Sequence, residues 1–386
     1  MSENTTPVTE DDAAPKRRGR SKKKHTIGRV LLASCVVLAL VTGLGVIYLY
    51  RHLNGNLTVL DIQKQLTDRP SKHQVTGPQE PLNILVMGSD DRDGAGNNID
   101  GLTGAGQRSD TTILFHLSAD RKRAYGISIP RDSLVTRPTC KDEKGHDIAG
   151  GTDVMWNEAF NIGGPACTVQ QFEHLTHVFV DHFVVVDFAG FESMVDAIGG
   201  VPVCIPKPVV DPAHGINIPA GTREIKGREA LNYVRARYTL GDGSDISRIK
   251  RQQAFVASMA HKVISAGTLA RVDRLVRFLN AATKSLTTDM DSIINIAKIG
   301  VGFKSIGLDK IKFITVPIEY DQREAYRGRV DWVQPQTDNL WKLIADDKPL
   351  PKKFLNGAIT AAHAGGEDGH KHKKPNSEAE ANGLCS

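Results

Sequence analysis

The chain has 386 residues, of which 40% are hydrophobic and 24% are charged, and its formal net charge is +5. Eight of its 49 basic and four of its 44 acidic residues lie within the first 29 positions, which leaves 41 basic and 40 acidic side chains elsewhere. A nucleic-acid-binding protein spreads basic charge over a folded domain. We therefore expect no nucleic acid among the partners of this chain.

The first 50 residues have the pattern of a membrane anchor. A basic tail, 1–29, precedes 21 uncharged residues, 30–50, which is about the length that crosses a hydrocarbon core. The alternative, a cleaved signal peptide, has a shorter apolar run followed by a small-x-small cleavage site. We expect a retained single-pass transmembrane helix in the cell membrane. Its N-terminus is predicted to be cytoplasmic and the rest of the chain extracytoplasmic, because Lys and Arg are enriched before the span.

Composition divides the remainder into three segments. Residues 51–80 are polar and end near several prolines, which predicts an extracytoplasmic stalk. Residues 81–355 are numerous enough for one large core. Residues 356–386 are rich in Gly, Lys, Glu and His and are predicted to form a flexible tail.

Within 81–355, β-branched and apolar runs alternate with helical stretches. Strands are predicted at 82–87, 111–117, 124–129, 182–188 and 312–318, with a hairpin turn between the second and third. Helices are predicted at 167–179, 189–198, 227–236, 247–265, 269–284, 291–301 and 337–345. The alternation predicts an α/β fold with a central mixed β-sheet covered by helices on both faces.

Four cysteines follow the apolar run, at Cys140, Cys167, Cys204 and Cys385. Disulfides persist outside the cytoplasm, so two bridges are expected. Four cysteines permit three pairings, and the sequence does not choose among them.

Acidic residues lie at the ends of two predicted strands. Asp90 follows the strand 82–87, and Asp110 precedes the strand 111–117. Two carboxylates can hold Mg²⁺ or Mn²⁺ together with substrate phosphates, so Asp90 and Asp110 are the candidate metal ligands. In the alternative interpretation Asp90 caps a turn and Asp110 pairs with Arg108 or Arg131. The glycine-rich insertion 93–107 lacks the P-loop and dinucleotide motifs.

Arginines supply the second half of the predicted site. Ser247 is predicted to be the N-cap of a helix, which places Arg248 in the first turn and Gln252 on the same face. Helix N-termini attract anions, and the arginine fork suits phosphate oxygens. One phosphate needs fewer arginines than this chain offers, so we expect a diphosphate. The candidate ligands are Arg92, Arg108, Arg131, Arg235, Arg237, Arg248 and Gln252.

A nucleophilic triad is not evident, which fits phosphoryl transfer, since that reaction depends on positioning and charge neutralisation. The candidate catalytic residues are Asp90, Arg108, Asp110, Arg131 and Asp245. Asp245 is the weaker candidate for a general base.

These residues lie in motifs that resemble the LytR-CpsA-Psr family of cell-wall assembly enzymes. The motifs, in order, are NILVMGSDDR, GQRSDTTIL, ISIPRDS, VDHFVVVDFAGFESMVDAIGGV and REALNYVRAR…GDGSDISRIKRQQ. The resemblance implies transfer of a glycopolymer from a polyprenyl-diphosphate carrier to a peptidoglycan hydroxyl, with Mg²⁺ assistance. It matches Asp90 and Asp110 to metal-associated acids. Its diphosphate ligands match Arg108, Arg131, Arg235, Arg237, Arg248 and Gln252. The runs 182–188, 191–203 and 254–264 could line a groove for the lipid.

Two other functions remain open. A polyprenyl-diphosphate hydrolase would use the same site with water as the acceptor. A non-catalytic membrane protein that binds lipid phosphates, with a regulatory role, would not need Asp110. The identity of the glycopolymer is not predicted.

Overall fold

The computed structural model describes residues 23–75, 77–90, 109–211, 216–236, 245–265 and 271–363. The chain divides into two compact units, Met1–His52 and Leu53–Ser386. Helix α1, Lys23–Gly55, contains the predicted span 30–50. Its segment Thr26–Gly55 is long and apolar enough to cross a membrane, by length and composition alone.

The second unit contains the remaining described elements. Its longer strands are β2 Leu82–Ser89, β3 Ser109–Leu117, β4 Ala124–Ile129, β5 Leu134–Arg137, β8 Gly151–Met155, β9 His182–Val186, β10 Val201–Ile205, β13 Gly221–Ile225 and β15 Ile311–Thr315. Its shorter strands are β1 Thr58–Val59, β6 Cys140–Lys141, β7 Asp147–Ile148, β11 Val209–Asp211, β12 Ile216–Ile218, β14 Leu286–Thr288, β16 Ile318–Tyr320, β17 Val330–Trp332 and β18 Ile359–Thr360. Its helices are α2 Glu158–Thr176, α3 Phe188–Ala197, α4 Gly227–Arg235, α5 Asp245–Ile264, α6 Val272–Ser285, α7 Ile293–Ile306, α8 Gln336–Ala345 and α9 Lys352–Leu355.

One mixed sheet organises this unit, with the strand order β1-β14-β9-β2-β3-β4-β15-β18. β2, β3 and β4 form antiparallel neighbours, and the predicted hairpin joins the last two. β9 runs parallel to β2, and β15 runs parallel to β4. The predicted mixed α/β architecture is therefore confirmed.

Side chains alternate between two packed faces of the sheet, as the period of a strand requires. On one face, Leu85, Met87 and Leu114 join a core with Phe172 of α2 and Trp341 of α8. On the other face, Leu117 and Phe313 pack with Ala257 of α5 and with Phe303 and Ile306 of α7. Helices thus cover both faces.

The structure moves several predicted boundaries. The strand predicted at 182–188 ends at Val186, and α3 begins at Phe188. The strand predicted at 312–318 ends at Thr315, and β16 starts separately at Ile318. In both places the apolar run continues past the end of the strand into the next element. The apolar pattern alone therefore did not show where the strand ends.

The segments predicted as stalk and tail also contribute to the fold. From Leu53 onward the chain belongs to the second unit, and Ile62 is 2% exposed within the main core. β1 pairs with β14, and β18 pairs with β15 at the other end of the sheet. Segment 51–80 is therefore not a free stalk, because a few apolar residues among many polar ones attach it to the core. Residues 364–386 lie outside the described residues.

Cys140 in β6 and Cys167 in α2 are adjacent, with their Cα atoms 5.3 Å apart and their sulfur atoms within bonding distance. Both side chains are buried. Cys204 lies in β10, and Cys385 lies outside the described residues. Cys35 in α1 is a free thiol.

Candidate active site

Four strand ends meet at one edge of the central sheet. Antiparallel pairing sets Gly88 of β2 opposite Thr111 of β3, and parallel pairing sets the same Gly88 opposite Val186 of β9. Thr112 of β3 lies opposite Ile129 of β4. The carboxyl ends of β2, β4 and β9 therefore lie beside the start of β3.

Charged side chains occur at each of these ends. Asp90 follows β2, Asp110 is the second residue of β3, and Arg131 comes two residues after β4. Asp187 follows β9 and caps α3, because its carboxylate accepts a hydrogen bond from the Gly190 N–H at 2.6 Å. Strand pairing thus brings together Asp90, Asp110 and Arg131, which are 41 residues apart at most in the sequence.

A cavity of about 570 Å³ lies between this edge of the sheet and helices α3, α4 and α5. Its polar lining residues are Asp90, Asp110, Thr111, Arg131, Asp187, Asn232, Arg235, Arg248 and Gln252. The other lining residues are mostly apolar and include Phe115, Phe191, Met194, Phe255 and Met259. The runs 182–188, 191–203 and 254–264 each contribute to this lining.

Polarity changes along the elements that line the cavity. Arg248, Gln252, Phe255 and Met259 follow one another on α5 at spacings of four, three and four residues, so they share one helix face. This face is charged in the first turn of α5 and apolar about two turns later. One end of the cavity therefore suits an anionic group, and the remainder suits an apolar chain.

Arg131 is the centre of an ion-pair network at the charged end. Its Nη1 atom lies 2.5 Å from Oδ1 of Asp110. Its Nε atom lies 3.4 Å from Oδ2 of Asp132 and 3.5 Å from Oδ2 of Asp245. Nη1 of Arg248, whose side chain is 3% exposed, lies 3.2 Å from Oδ1 of Asp245. These contacts fix both guanidinium groups, so little side-chain freedom remains to be lost when an anion binds.

The network shifts several pKa values. Burial alone would lower the pKa of Arg131, but Asp110, Asp132 and Asp245 raise it. Burial, followed by the repulsion of Arg131, lowers the pKa of Arg248. Burial and then the hydrogen bond to Asp245 raise the pKa of Asp132 to about 6. The pKa of Asp245 shifts in the opposite direction. Burial alone would raise it, but the hydrogen bond from Asp132 and the charges of Arg248 and Arg131 outweigh burial, so the pKa is lowered.

Helix α4 carries Arg235 into the lining. Its guanidinium carbon lies 4.8 Å from the centre of the Phe188 ring, a cation–π contact that orients the charge. Gln252 also lines the cavity, and its side-chain amide donates to the Val234 carbonyl at 3.2 Å. Gln252 therefore also ties α5 to the end of α4.

The prediction that Ser247 caps the helix is wrong. Helix α5 already begins at Asp245, so Ser247 lies inside its first turn, where it is fully buried and accepts a hydrogen bond from Nη1 of Arg251 at 3.3 Å. An acidic residue can start a helix as readily as a serine does, because it favours the positive end of the dipole. Arg248 remains in the first turn, as predicted.

Some predicted site residues are not placed in the cavity. Asp245 is absent from its lining and forms ion pairs with Arg131 and Arg248. Arg92, Arg108 and Arg237 lie outside the described residues, as does the insertion 93–107. Their predicted roles remain predictions.

Two residues that support the site were not predicted. Asp132 contacts Arg131 and accepts from Nη1 of Arg329 at 2.7 Å. Asp132 directly follows Arg131 in the sequence Pro130-Arg131-Asp132, and this position next to a predicted site residue could have identified it. Arg329 lies 197 residues further along the chain, and no local pattern connects the two.

The carboxylates of the charged end can be compared with what a metal requires. Within the described ranges, no group of three or more His, Cys, Asp and Glu side chains could hold a metal ion alone. Asp90 and Asp110 both line the cavity. Mg²⁺ commonly takes one or two carboxylates and completes its shell with substrate phosphates and water. The donors present therefore fit Mg²⁺ or Mn²⁺ held jointly with a phosphate-bearing ligand.

The fold and this cavity define a mixed α/β protein with a binding site at the strand ends, charged at one end and apolar beyond. Residues 49–345 match the LytR_cpsA_psr family. The chain belongs to that family, which confirms the resemblance of its motifs.

Known relatives are similar in sequence and in fold. The chain is 29% identical over 347 residues to the cell wall biosynthesis protein LcpA of Corynebacterium glutamicum, and the match covers 82% of this chain but only 65% of LcpA. It is 26% identical to the polyisoprenyl-teichoic acid–peptidoglycan teichoic acid transferase TagV of Bacillus subtilis, over 83% of this chain and 78% of TagV. A structure of TagT bound to LIIa-WTA superposes with a TM-score of 0.54 at 23% identity, covering 73% of this chain and 98% of TagT. That last likeness concerns the fold.

Proposed function

We propose that this protein transfers a glycopolymer from a polyprenyl-diphosphate lipid carrier to a hydroxyl of peptidoglycan, forming a phosphodiester in cell-wall assembly. The observation that carries the proposal is the cavity that is charged at the strand ends and apolar along α3 and α5. An isoprenoid diphosphate has the same division, with an anionic head and a long apolar tail. Family membership and the name of TagV support the same reaction class.

The charged end supplies positioning and charge neutralisation. Arg131, Arg235 and Arg248 would bind the diphosphate oxygens, and their ion pairs and the Phe188 contact hold them ready. In the reaction the acceptor hydroxyl oxygen bonds to the sugar-side phosphorus, and the bond from that phosphorus to the bridging oxygen breaks. The polyprenyl phosphate leaves with that oxygen, and the hydroxyl proton passes to a carboxylate. Guanidinium groups stabilise the charge that grows on the phosphoryl oxygens.

Asp90 and Asp110 would hold a Mg²⁺ or Mn²⁺ ion together with the substrate diphosphate. When bound, such an ion neutralises phosphate charge and polarises the phosphoryl oxygens. Asp110 has a second role, since its contact with Arg131 fixes the position of that guanidinium.

The proposed location is the outer face of the cell membrane. Helix α1 would be a retained single-pass anchor with a cytoplasmic N-terminus, as the basic residues before the span suggest. The second unit would then face the compartment that contains peptidoglycan. A disulfide between Cys140 and Cys167 fits that oxidising location.

The test is a reaction of the full chain in detergent with a synthetic polyprenyl-diphosphate oligosaccharide and peptidoglycan fragments, with and without Mg²⁺. The expected product is a metal-dependent sugar-phosphate adduct on the peptidoglycan fragment, identified by mass. Polyprenyl phosphate with free sugar phosphate and no adduct would instead identify a hydrolase. Lipid binding without turnover would identify a non-catalytic binding protein.

A further inference from the structure

Helix α7 presents an apolar stripe to solvent. Ile294, Ala297 and Val301 follow at spacings of three and four residues, so they share one face, and all three are exposed. Ile294 is 50% exposed and Val301 is 66% exposed. Lys298 and Lys304 are also exposed. Because each residue of an α-helix is rotated by about 100° about the axis from the one before, the two lysines lie on opposite sides of this stripe.

The opposite face of α7 already has its packing partners. Ile306 is 4% exposed within the core beside Leu117 and Phe313, and the Phe303 ring lies 5.8 Å from that of Phe115. The apolar stripe is therefore not needed to attach α7 to the domain. Helix α7 contains two basic residues, Lys298 and Lys304, and no acidic residue.

The first turn of α7 is hydrogen-bonded to the end of α1. Oδ1 of Asn54 accepts from the Ile293 N–H at 3.0 Å, and its Nδ2 donates to the Asp291 carbonyl at 3.3 Å. Asn54 follows Tyr50, the last residue of the uncharged run, by four residues. Since consecutive Cα atoms are about 3.8 Å apart, no more than about 15 Å of chain connects the end of that run to Asn54, the residue that contacts the start of α7.

Neighbouring elements strengthen this connection. Nδ2 of Asn56 donates to Oδ1 of Asn280 in α6 at 3.1 Å. Thr58 and Val59 pair with Thr287 and Thr288 of β14. The segment Asn54–Val59, just after the apolar run, is thus bound to α6, to β14 and to the start of α7.

We propose that α7 docks on the bilayer surface as an interfacial helix. Ile294, Ala297 and Val301 enter the boundary between headgroups and acyl chains, and Lys298 and Lys304 contact anionic headgroups. The tether to α1 and the flanking lysines favour lipid over a protein partner. The inference rests on the membrane anchor proposed above and adds a second attachment point, which fixes the rotation of the domain relative to the carrier lipid.

The test uses tryptophan fluorescence of the full chain in phosphatidylcholine vesicles with acyl chains brominated near the headgroup, with and without phosphatidylglycerol. Val301→Trp reports on α7. Tyr320→Trp, at a 48% exposed position in β16, is the matched control, and Leu40→Trp reports on α1. Thermal unfolding checks that each variant is folded.

With phosphatidylglycerol present, quenching at position 301 is expected to exceed that at position 320 by at least about two-fold, because an interfacial helix lies about 5–10 Å deep. Adding Ile294→Asp to Val301→Trp should remove the excess. If position 40 is quenched but position 301 matches position 320, the docking of α7 is wrong and the anchor stands. If position 40 is not quenched either, both proposals fail.

Discussion

Nη1 of Arg131 lies 2.5 Å from Oδ1 of Asp110, and this contact joins two residues that are 21 positions apart in the sequence. Arg131 lies two residues after β4 and Asp110 is the second residue of β3, so antiparallel pairing of the two strands brings them together. The contact places one cation and one acid at the charged end of the cavity. The proposed chemistry depends on both.

Replacing Arg131 tests the role of its guanidinium. Arg131→Ala should lower the rate of glycopolymer transfer by about 100-fold or more, since it removes a charge-stabilising donor from a prearranged site. Arg131→Lys keeps the charge but loses the fork, so an intermediate rate is expected. Arg327→Ala is the control, because the Arg327 side chain is 86% exposed. A normal rate in Arg131→Ala would contradict the assignment.

The roles of Asp90, Asp110 and Asp245 can be distinguished by how each substitution changes the Mg²⁺ dependence of glycopolymer transfer. Asp90→Asn and Asp110→Asn should raise the Mg²⁺ concentration needed for half-maximal transfer by about 10-fold or more, since each removes a proposed ligand. Asp245→Asn should leave that concentration unchanged, because Asp245 contacts the arginines and does not line the cavity. Equal metal titrations in all three variants would reject the proposed metal ligands.

The raised pKa of Asp132 predicts that the free energy of unfolding depends on pH. Its folded pKa is about 6, against 3.8 ordinarily, because burial and the hydrogen bond to Asp245 favour the protonated form. Between about pH 4 and pH 6 the folded chain holds a proton that the unfolded chain has released. The contribution of Asp132 to the free energy of unfolding therefore falls as the pH rises through this window and is constant above it.

The measurement compares thermal unfolding of the full chain and of Asp132→Asn in detergent at several pH values. The melting temperature of the parent should fall relative to that of Asp132→Asn between about pH 4 and pH 6. Asp338→Asn, at an exposed position on α8, should follow the parent. A constant difference between parent and Asp132→Asn would show that Asp132 does not titrate there.

The cysteine pair can be tested directly. Peptide mapping without reduction should recover the peptides containing Cys140 and Cys167 joined to each other. Their separation is 27 residues, and closing such a loop stabilises a fold by about 3 to 4 kcal/mol in the chain-entropy account. Replacing both by serine should therefore lower the melting temperature, whereas Cys35→Ser should not. Separate peptides would mean that the pair is reduced in the protein.

Local patterns were sufficient to predict the central part of the fold. LNILVM and AYGISI are β-branched and apolar runs that a sheet buries on both faces, and they became β2 and β4. Asp90, Asp110 and Arg131 could be assigned to one site because each flanks such a strand. The prediction failed where one apolar run spans two elements, as at Val186 and Phe188.

Long-range contacts were not predictable in this way. Arg329 reaches Asp132 from a hairpin that no local motif links to the site, and Ile62 enters the core from a polar segment. The cavity wall is an intermediate case. The family resemblance implied that the runs 182–188, 191–203 and 254–264 could line a groove, and each run contributes to the cavity. Phe191, Phe255 and Met259 have the spacing of ordinary core residues, so their spacing alone did not distinguish a groove from a core.

The most direct test of the account is where the lipid diphosphate binds. The full chain would be labelled with a polyprenyl diphosphate that carries a diazirine in its tail, and the cross-linked peptides would be identified by mass spectrometry. The account predicts labelling of α3 and α5 at and around Phe191, Phe255 and Met259, which inorganic diphosphate reduces and Arg131→Ala weakens. Labelling confined to α1 or to other exposed surfaces, with α3 and α5 unlabelled, would contradict it.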